Sequence, residues 1–307
     1  MQRLLTATVL VGLLVATAAA FAVTERLKLT KSPIADTKVT PKPSFSPTCG
    51  CSKGKARISV RLRRADDVTV QILDSKRRVV RALVDGIHAS RGFSEFRWDG
   101  RTNGNVIAPD GEYRAEIHLA NQHRTIVLPN QIRLDTKPPE IAKATLNRDV
   151  FSPDGDHQAD FVRITYSLSK AAHVNLYLGS KRILRTKQHG TKGSFSWSGG
   201  DLAPGSYGLQ IGAVDAAGNS TPVAQRFRIR VRLRFIALAS DRIVARAGGR
   251  FSIGVSTDAK RYAWKLGGRK SVASGPVLDL LASTRRGRYT LTVSERGHVA
   301  RATVIVR

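Results

Sequence analysis

An internal repeat constrains the fold of this chain more than any other feature of its sequence. Phe45-Ser46-Pro47 recurs 106 positions later (151 minus 45) as Phe151-Ser152-Pro153. The later matches pair Trp98 with Trp197, and Gly111-x-Tyr113 with Gly205-x-Tyr207. Because a repeated unit of this length corresponds to a domain, the sequence predicts a tandem array of similar modules. Arrays of this kind usually bind or space other molecules rather than catalyse reactions.

Short strands with one buried face are predicted in each unit. Ile58, Val60 and Leu62 alternate with polar residues, which is the period-two pattern of a half-buried strand. Stretches rich in turn-forming residues, such as residues 99–104, separate the strands. Sustained helical periodicity is missing after the first two dozen residues. These patterns predict an all-β fold of antiparallel sandwiches after an N-terminal hydrophobic helix.

Composition divides the chain into five segments. Residues 25–44 are polar, rich in Lys and Pro and without periodicity, so they are predicted to form an extended tether. Pro138-Pro139 predicts a stiff junction between the repeated modules. The third module lacks Phe-Ser-Pro but contains Gly287-x-Tyr289, which indicates a diverged relative or another type of sandwich. The predicted segments are a signal peptide or transmembrane anchor at 1–24, the tether at 25–44, module 1 at 45–136, module 2 at 137–232 and module 3 at 233–307.

The N-terminus predicts export from the cytoplasm. Arg3 precedes an uncharged run from Leu4 to Val23. This run is about as long as a bilayer-spanning helix, and the small residues at 18–22 also fit a signal-peptidase site. The segment is therefore either a membrane anchor or a cleaved signal. The first choice predicts a cell-membrane protein with extracytoplasmic domains, and the second predicts a secreted protein.

The net charge of +28, from 51 Lys and Arg against 23 Asp and Glu, indicates attraction to polyanions. An anionic envelope polymer or an anionic lipid surface is the expected partner, and contact with other envelope proteins is a further expectation. A solvated basic surface without a specific partner is the alternative. Export disfavours nucleic acid, as does an aromatic content of 6%, which leaves few stacking platforms.

A strictly alternating segment, Arg226 to Phe235, lies at the end of module 2. Period two places its arginines on one face and its apolar residues on the other. The arginine face can bind phosphates or carboxylates in a bidentate manner, or it can protect an exposed edge strand from aggregation. The candidate anion-binding residues are Arg226, Arg228, Arg230, Arg232 and Arg234.

Three carboxylates lie close together in the loop after Phe151. Asp154, Asp156 and Asp160 offer oxygen ligands at near-alternating positions, which suits Ca²⁺. Gln158 takes the place of the expected third carboxylate, and the far acidic ligand of a complete EF-type loop is also missing. The alternative is that these residues form the turn by accepting hydrogen bonds from their own backbone. No other cofactor is predicted.

The two cysteines, Cys49 and Cys51, are expected to be oxidised in an exported protein. A local disulfide is the first interpretation, although it closes a very small ring. An intermolecular disulfide comes second. A metal site comes third, because nothing nearby supplies the remaining ligands.

Several of these motifs together resemble a known family. They are Phe-Ser-Pro-Asp-Gly-Asp at 151–156, Trp-Asp-Gly-Arg at 98–101 and Pro-Asp-Gly-Glu-Tyr at 109–113. This combination is similar to the immunoglobulin-like (Ig-like) domain of FlgD-type flagellar hook-capping proteins, a domain class of many secreted bacterial proteins. The resemblance covers the first two modules and implies tandem Ig-like sandwiches. It does not imply hook capping, because that family's separate N-terminal assembly region is missing from the sequence.

The sequence therefore predicts a non-enzymatic protein of the bacterial envelope or surface, whose modules bind other molecules or act as spacers. The histidines are scattered, and the sequence contains neither a zinc-protease His-Glu motif nor a nucleophile elbow nor a phosphate loop. Two alternatives stay open. One is an accessory module of an envelope enzyme, and the other is a basic polyanion-binding protein.

Overall fold

A computed structural model describes residues 10–22, 32–187 and 189–307. Residues 10–22 are helical, and the other described residues are strand, turn and loop apart from one short 3-10 helix, Val223–Gln225, so the all-β prediction is confirmed. None of the helical segments in these ranges is both long and apolar enough to span a membrane. The predicted apolar run from Leu4 to Val23, like the start of the tether, extends outside the described residues. The chain divides into two compact units, Met1–Thr136 and Lys137–Arg307.

Unit 1 contains one sandwich with a single core. Three strands form one sheet in the order β1-β2-β5, and four form the other in the order β4-β3-β6-β7, with antiparallel neighbours. Burial alternates along β2 and β6, and the buried apolar residues of both strands lie between the two sheets. The strands are β1 (Ile34–Thr40), β2 (Ala56–Leu62), β3 (Asp66–Leu73), β4 (Val79–Ala89), β5 (Gly92–Trp98), β6 (Gly111–Leu119) and β7 (Arg124–Leu134).

The predicted tether is wrong over its second half. Residues 34–40 form β1, which pairs with β2 and buries Ile34 and Val39 in the core. These two apolar residues are five positions apart, so they break the period-two pattern. The cause is an irregularity after Ile34, where the strand register shifts before Asp36. Module 1 therefore begins before residue 45.

The first part of unit 2 repeats this plan with one difference. Its long strand β10 takes the places of both β2 and β3. Residues 162–168 correspond to β2 and pair with β8 and β12, and residues 172–178 correspond to β3 and pair with β11 and β13. β14 lies next to β13, and β9 joins it in parallel. The strands are β8 (Ile141–Leu146), β9 (Val150–Phe151), β10 (Val162–Leu178), β11 (Lys181–Arg185), β12 (Gly190–Trp197), β13 (Gly205–Asp215) and β14 (Phe227–Leu233).

The second part of unit 2 is a further sandwich with its own core, which runs from Ile236 to Val306. One sheet has the order β15-β17-β20, and the other has the order β16-β22-β21-β18-β19. The strands are β15 (Ala237–Leu238), β16 (Arg242–Ala245), β17 (Arg250–Ser256), β18 (Tyr262–Leu266), β19 (Arg269–Ala273), β20 (Val277–Leu281), β21 (Gly287–Glu295) and β22 (His298–Val306).

The three matched tyrosines have one structural role in all three modules. The hydroxyl of Tyr113 donates to the carbonyl of Pro109 at 2.6 Å, four residues upstream. Tyr207 and Tyr289 make the same contact with the carbonyl four residues before each of them, at 2.6 and 2.9 Å. This is the tyrosine corner of Ig-like sandwiches. The shared corner indicates that the third module is built on the same principle as the first two.

Candidate functional site

The loop at residues 151–160, which we call the entry loop of module 2, is closed by its own carboxylates. Asp160 accepts hydrogen bonds from the backbone N–H groups of Gly155 and His157, at 2.8 and 2.9 Å. His157 has a φ of 68°, in the left-handed region. The loop is therefore held in a tight conformation by hydrogen bonds from its own backbone.

The three predicted calcium ligands lie together in this loop. One carboxylate oxygen from each of Asp154, Asp156 and Asp160 lies within 4.8 Å of the other two. Asp154 also accepts from the N–H of Asp156 at 3.1 Å, and Asp156 accepts from the N–H of Gln158 at 2.6 Å. The geometry thus fits both interpretations drawn from the sequence, a cation site and a hydrogen-bonded turn.

Two further carboxylates reach this loop from the third module. Asp258 lies in the connection between β17 and β18, and Glu295 ends β21. Because Ala263 of β18 pairs with Ser294 of β21, both acids lie at the same end of the module. One oxygen from each of them lies within 4.8 Å of an oxygen of Asp154.

Neither of these two acids lies in a ligand-spacing motif, so their role could not be identified from the sequence. We call the five residues the acidic junction: Asp154, Asp156, Asp160, Asp258 and Glu295.

Two carboxylates of the acidic junction, those of Asp258 and Glu295, have raised pKa values. Burial raises the pKa of Asp258 to about 6, and the negative charges of Asp154, Asp156 and Glu295 raise it as well. Burial is also the main cause that raises the pKa of Glu295, although the Thr257 hydroxyl donates to its Oε2 at 2.8 Å. The Oδ2 atom of Asp258 is inaccessible to solvent, and no described residue donates a hydrogen bond to it.

The turn between β21 and β22 packs directly on module 2. Nη1 of Arg296 donates to the carbonyl oxygen of Gly155 at 2.7 Å. The ring of His298, the first residue of β22, stacks on Phe235, with centroids 3.5 Å apart and planes 7° from parallel. Phe235 in turn packs against the core of module 2. A cavity of about 120 Å³ lies between the modules, lined by Asp258 among other residues. The acidic junction is therefore part of a packed contact between two modules of the same unit.

Three of the five predicted arginines form an exposed row on β14. Arg228, Arg230 and Arg232 are exposed and lack an ion-pair partner within the described ranges. Across the sheet, Arg230 lies opposite Gly208 and Arg232 lies opposite Ser206, two small residues that leave the guanidinium groups uncovered. We call these three residues the arginine row.

The other two predicted arginines are placed differently. Arg226 is half-buried, and its guanidinium carbon lies 3.7 Å from the centre of the Tyr177 ring. Arg234 follows the end of β14 and lines the cavity beside Asp258. On the opposite face of the strand, Val231 and Leu233 are buried in the core as the alternation predicts.

Cys49 and Cys51 are joined by a disulfide in the loop after Phe45, with their Cα atoms 5.2 Å apart. This is the first of the three interpretations that the sequence allowed. The bridge lies in the part of module 1 that corresponds to the entry loop of module 2.

Residues 46–123 match the family model of the FlgD Ig-like domain, which confirms the FlgD-type resemblance for 78 of the 307 residues. No curated protein sequence matches the chain.

Among solved structures, the FlgD protein from P. aeruginosa is 19% identical and has a TM-score of 0.24, with coverage of 46% of this chain and 89% of that chain. The I-band fragment I67-I69 from titin is 12% identical, covers 82% and 91%, and has a TM-score of 0.28. A fragment of a 1.5-MDa bacterial ice-binding adhesin is 11% identical, covers 90% and 99%, and also has a TM-score of 0.28. These similarities concern the fold only.

Proposed function

We propose that this chain is a non-enzymatic protein of the bacterial envelope or surface, anchored or secreted through its N-terminal segment. Its Ig-like modules hold a basic surface against an anionic envelope polymer or lipid. The match of residues 46–123 to the FlgD Ig-like domain supports the modular, non-catalytic part of this proposal. The arginine row is the observation that carries the binding part.

The arginine row has the properties of an anion-binding surface. Successive outward residues of a strand are about 6.6 Å apart, so three arginines offer three guanidinium groups along roughly 13 Å. Each guanidinium can form a bidentate hydrogen bond with a phosphate or carboxylate. The outward residues opposite them on β13 are Gln210, Gly208 and Ser206, which carry no charge. A repeating polyanion or a lipid headgroup layer can therefore approach this face without meeting an acidic side chain on β13.

A second basic surface lies on the β8-β10-β12 side of the same module. Lys143 and Arg163 line a shallow groove of about 610 Å³, together with the hydroxyl-bearing Thr145 and Thr165. Both strand groups of module 2 thus present cationic residues outward. The acidic junction is a local exception on a chain with a net charge of +28.

The test replaces the arginine row in the full chain by serine, as the triple variant Arg228→Ser, Arg230→Ser and Arg232→Ser. Binding to vesicles rich in phosphatidylserine and to purified anionic wall polymer is measured across a salt series. Phosphatidylcholine vesicles report what the apolar N-terminal segment contributes alone. A basic residue near an anionic membrane contributes about 1 kcal/mol, so loss of three weakens vesicle binding by up to about 100-fold.

The matched control removes three exposed arginines elsewhere, as Arg242→Ser, Arg250→Ser and Arg288→Ser in module 3. Both triple variants change the net charge from +28 to +25 (28 minus 3). If binding depends on total charge alone, the two variants weaken it equally, and the arginine row has no special role. If neither anionic surface is bound even at low salt, the polyanion proposal is wrong.

A further inference from the structure

We propose that a Ca²⁺ ion binds between modules 2 and 3, held by the carboxylates of Asp154, Asp258 and Glu295. The site differs from the one suggested by the sequence, because two of its three carboxylates come from the third module. It is independent of the anion-binding function proposed above. Its consequence is a metal clamp that fixes one Ig-like module to the next.

The geometry fits a calcium ion. Oxygen atoms of Asp154, Asp258 and Glu295 lie within 4.8 Å of one another. Ca²⁺ binds oxygen at about 2.3–2.6 Å, so two ligands on opposite sides of the ion are at most about 5 Å apart. All three are hard oxygen ligands, and no sulfur or imidazole belongs to the group, which favours Ca²⁺ over a transition metal.

A buried oxygen atom supplies an independent indication of a ligand. The Oδ2 atom of Asp258 is inaccessible to solvent, and no described residue donates a hydrogen bond to it. A buried carboxylate oxygen without a donor is costly, and such atoms in native proteins call for an explanation. Asp160 is in the opposite situation, because two backbone N–H groups already donate to its carboxylate. The unpaired oxygen therefore favours Asp258, rather than Asp160, as a metal ligand.

Two arginines lie near the acidic junction. Arg234 lines the cavity beside Asp258, and the charge of Arg296 partly offsets the rise in the pKa of Glu295. None of the five carboxylates of the acidic junction has an ion-pair partner in the described part of the chain, although the chain carries 51 Lys and Arg residues. Arg296, the nearest arginine in sequence, donates to the Gly155 carbonyl instead. A divalent cation would offset the mutual repulsion that these acids experience.

The cavity beside Asp258 leaves room for the rest of the coordination shell. Ca²⁺ takes six to eight oxygen ligands, and water commonly supplies some of them. The cavity of about 120 Å³ is lined by Asp258 and by the hydroxyl-bearing residues Ser152, Ser256 and Thr257. A water takes about 30 Å³ in the liquid, so this volume can hold a few ordered waters beside the ion.

The experiment uses the full chain, stripped of metal with EDTA. Calcium binding is measured by isothermal titration calorimetry, and thermal unfolding is followed in calcium and in EDTA at constant ionic strength. The site variant is Asp258→Asn, which keeps the side-chain shape. The control is Asp241→Asn, an exposed carboxylate of the same module outside the acidic junction.

We expect the wild-type chain to bind calcium with a Kd of roughly 10⁻⁴–10⁻³ M, the range of extracellular modules. Calcium at about 5 mM should then raise its melting temperature. In Asp258→Asn, the affinity falls at least tenfold and the calcium shift disappears. In EDTA, however, this variant melts at or above the wild type, because one repelling charge is gone. Asp241→Asn behaves like the wild type.

This pattern separates a metal ligand from a residue that only supports the fold, since loss of a structural contact lowers the melting temperature in both buffers. Three results would overturn the proposal: no calcium heat or shift in the wild type, unchanged affinity in Asp258→Asn, or an equal shift with Mg²⁺. If Asp258→Asn does not fold, Glu295→Gln takes its place with the same expected outcomes. Failure here leaves the arginine-row test unaffected.

Discussion

The substitution Gly100→Ala, which adds a single methyl group, should make module 1 unfold far more readily. Gly100 has a φ of +76°, and a Cβ built on it would lie 2.9 Å from Pro47 Cγ, 3.1 Å from Leu134 Cδ1 and 3.3 Å from Phe45 Cε2. Phe45 and Leu134 are each 1% exposed, and Phe45 packs on Trp98 with ring centroids 5.4 Å apart. Phe45 and Leu134 belong to the core of module 1, so neither of them can move without disturbing it.

The magnitude follows from two terms. A left-handed backbone costs an alanine about 1–2 kcal/mol, and overpacking a full core costs about 1–3 kcal/mol. Reduced entropy of the unfolded chain returns about 0.4–1 kcal/mol. The net loss for Gly100→Ala is therefore about 2–4 kcal/mol, a large share of the stability of an ordinary domain. Gly111→Ala is the matched control, because it has no atom within 4 Å of its added Cβ and no positive φ.

Hydrogen exchange followed by mass spectrometry can assign the effect to one module in the full chain. Amides of β2 and β7 should exchange through opening of the whole module. A loss of about 3 kcal/mol makes that opening roughly 100-fold more populated. The β10 and β14 peptides of module 2 should be unchanged. Equal exchange of β2 in Gly100→Ala and Gly111→Ala would refute the argument that Gly100 is required by packing and φ.

Two further predictions concern polar groups. Tyr113→Phe should destabilise module 1 by about 0.5–1.5 kcal/mol, because it deletes the 2.6 Å hydrogen bond to the Pro109 carbonyl. Chemical denaturation tests this prediction, and an unchanged unfolding midpoint would contradict it. Without metal, the pKa of Asp258 is about 6 in the folded chain, against its ordinary value of 3.8. The other acids of the acidic junction and Arg296 lie around it. Between those two pH values the folded state keeps a proton that the unfolded state has lost, so stability should fall as pH rises from about 4 to 6. Asp258→Asn should flatten that part of a melting-temperature profile, and a wild-type profile that rises there would contradict the prediction.

Much of the fold could be predicted because it follows from local patterns. The strand alternation, the Phe-Ser-Pro entries and the Gly-x-Tyr corners each depend on residues close together in sequence. β1 was missed because its irregular register hides the alternation. The repeat itself contained the missing signal, since a shift of β8, Ile141–Leu146, upstream by 106 positions gives residues 35–40, which lie within β1.

The candidate site was predictable only in part. Asp154, Asp156 and Asp160 lie within seven residues, so their proximity was visible in the sequence. Asp258 and Glu295 lie at least 98 positions further along (258 minus 160), and they reach the entry loop through packing between two modules. Sequence periodicity describes which face of a strand is buried, and it contains no information about which loop tips of two modules meet.

The loop after Phe45 and the entry loop of module 2 have the same backbone hydrogen bond but are stabilised by different side chains. Ser46 N–H donates to the Lys53 carbonyl at 3.1 Å, and the equivalent Ser152 N–H donates to the Ala159 carbonyl at 2.9 Å, so the two loops share one backbone frame. Inside that frame, module 1 has a disulfide and module 2 has three carboxylates.

If carboxylates were needed only to form the turn, hydrogen bonds within the loop would account for all of them, as they do for Asp160. They do not account for the two acids that the third module adds opposite Asp154, nor for the unpaired, buried Oδ2 of Asp258. Repulsion among these groups is tolerated in a folded protein when a ligand that binds only the folded state offsets it. The divergence of the second loop from the first is therefore best explained by its position against the third module, where a cation can join the two.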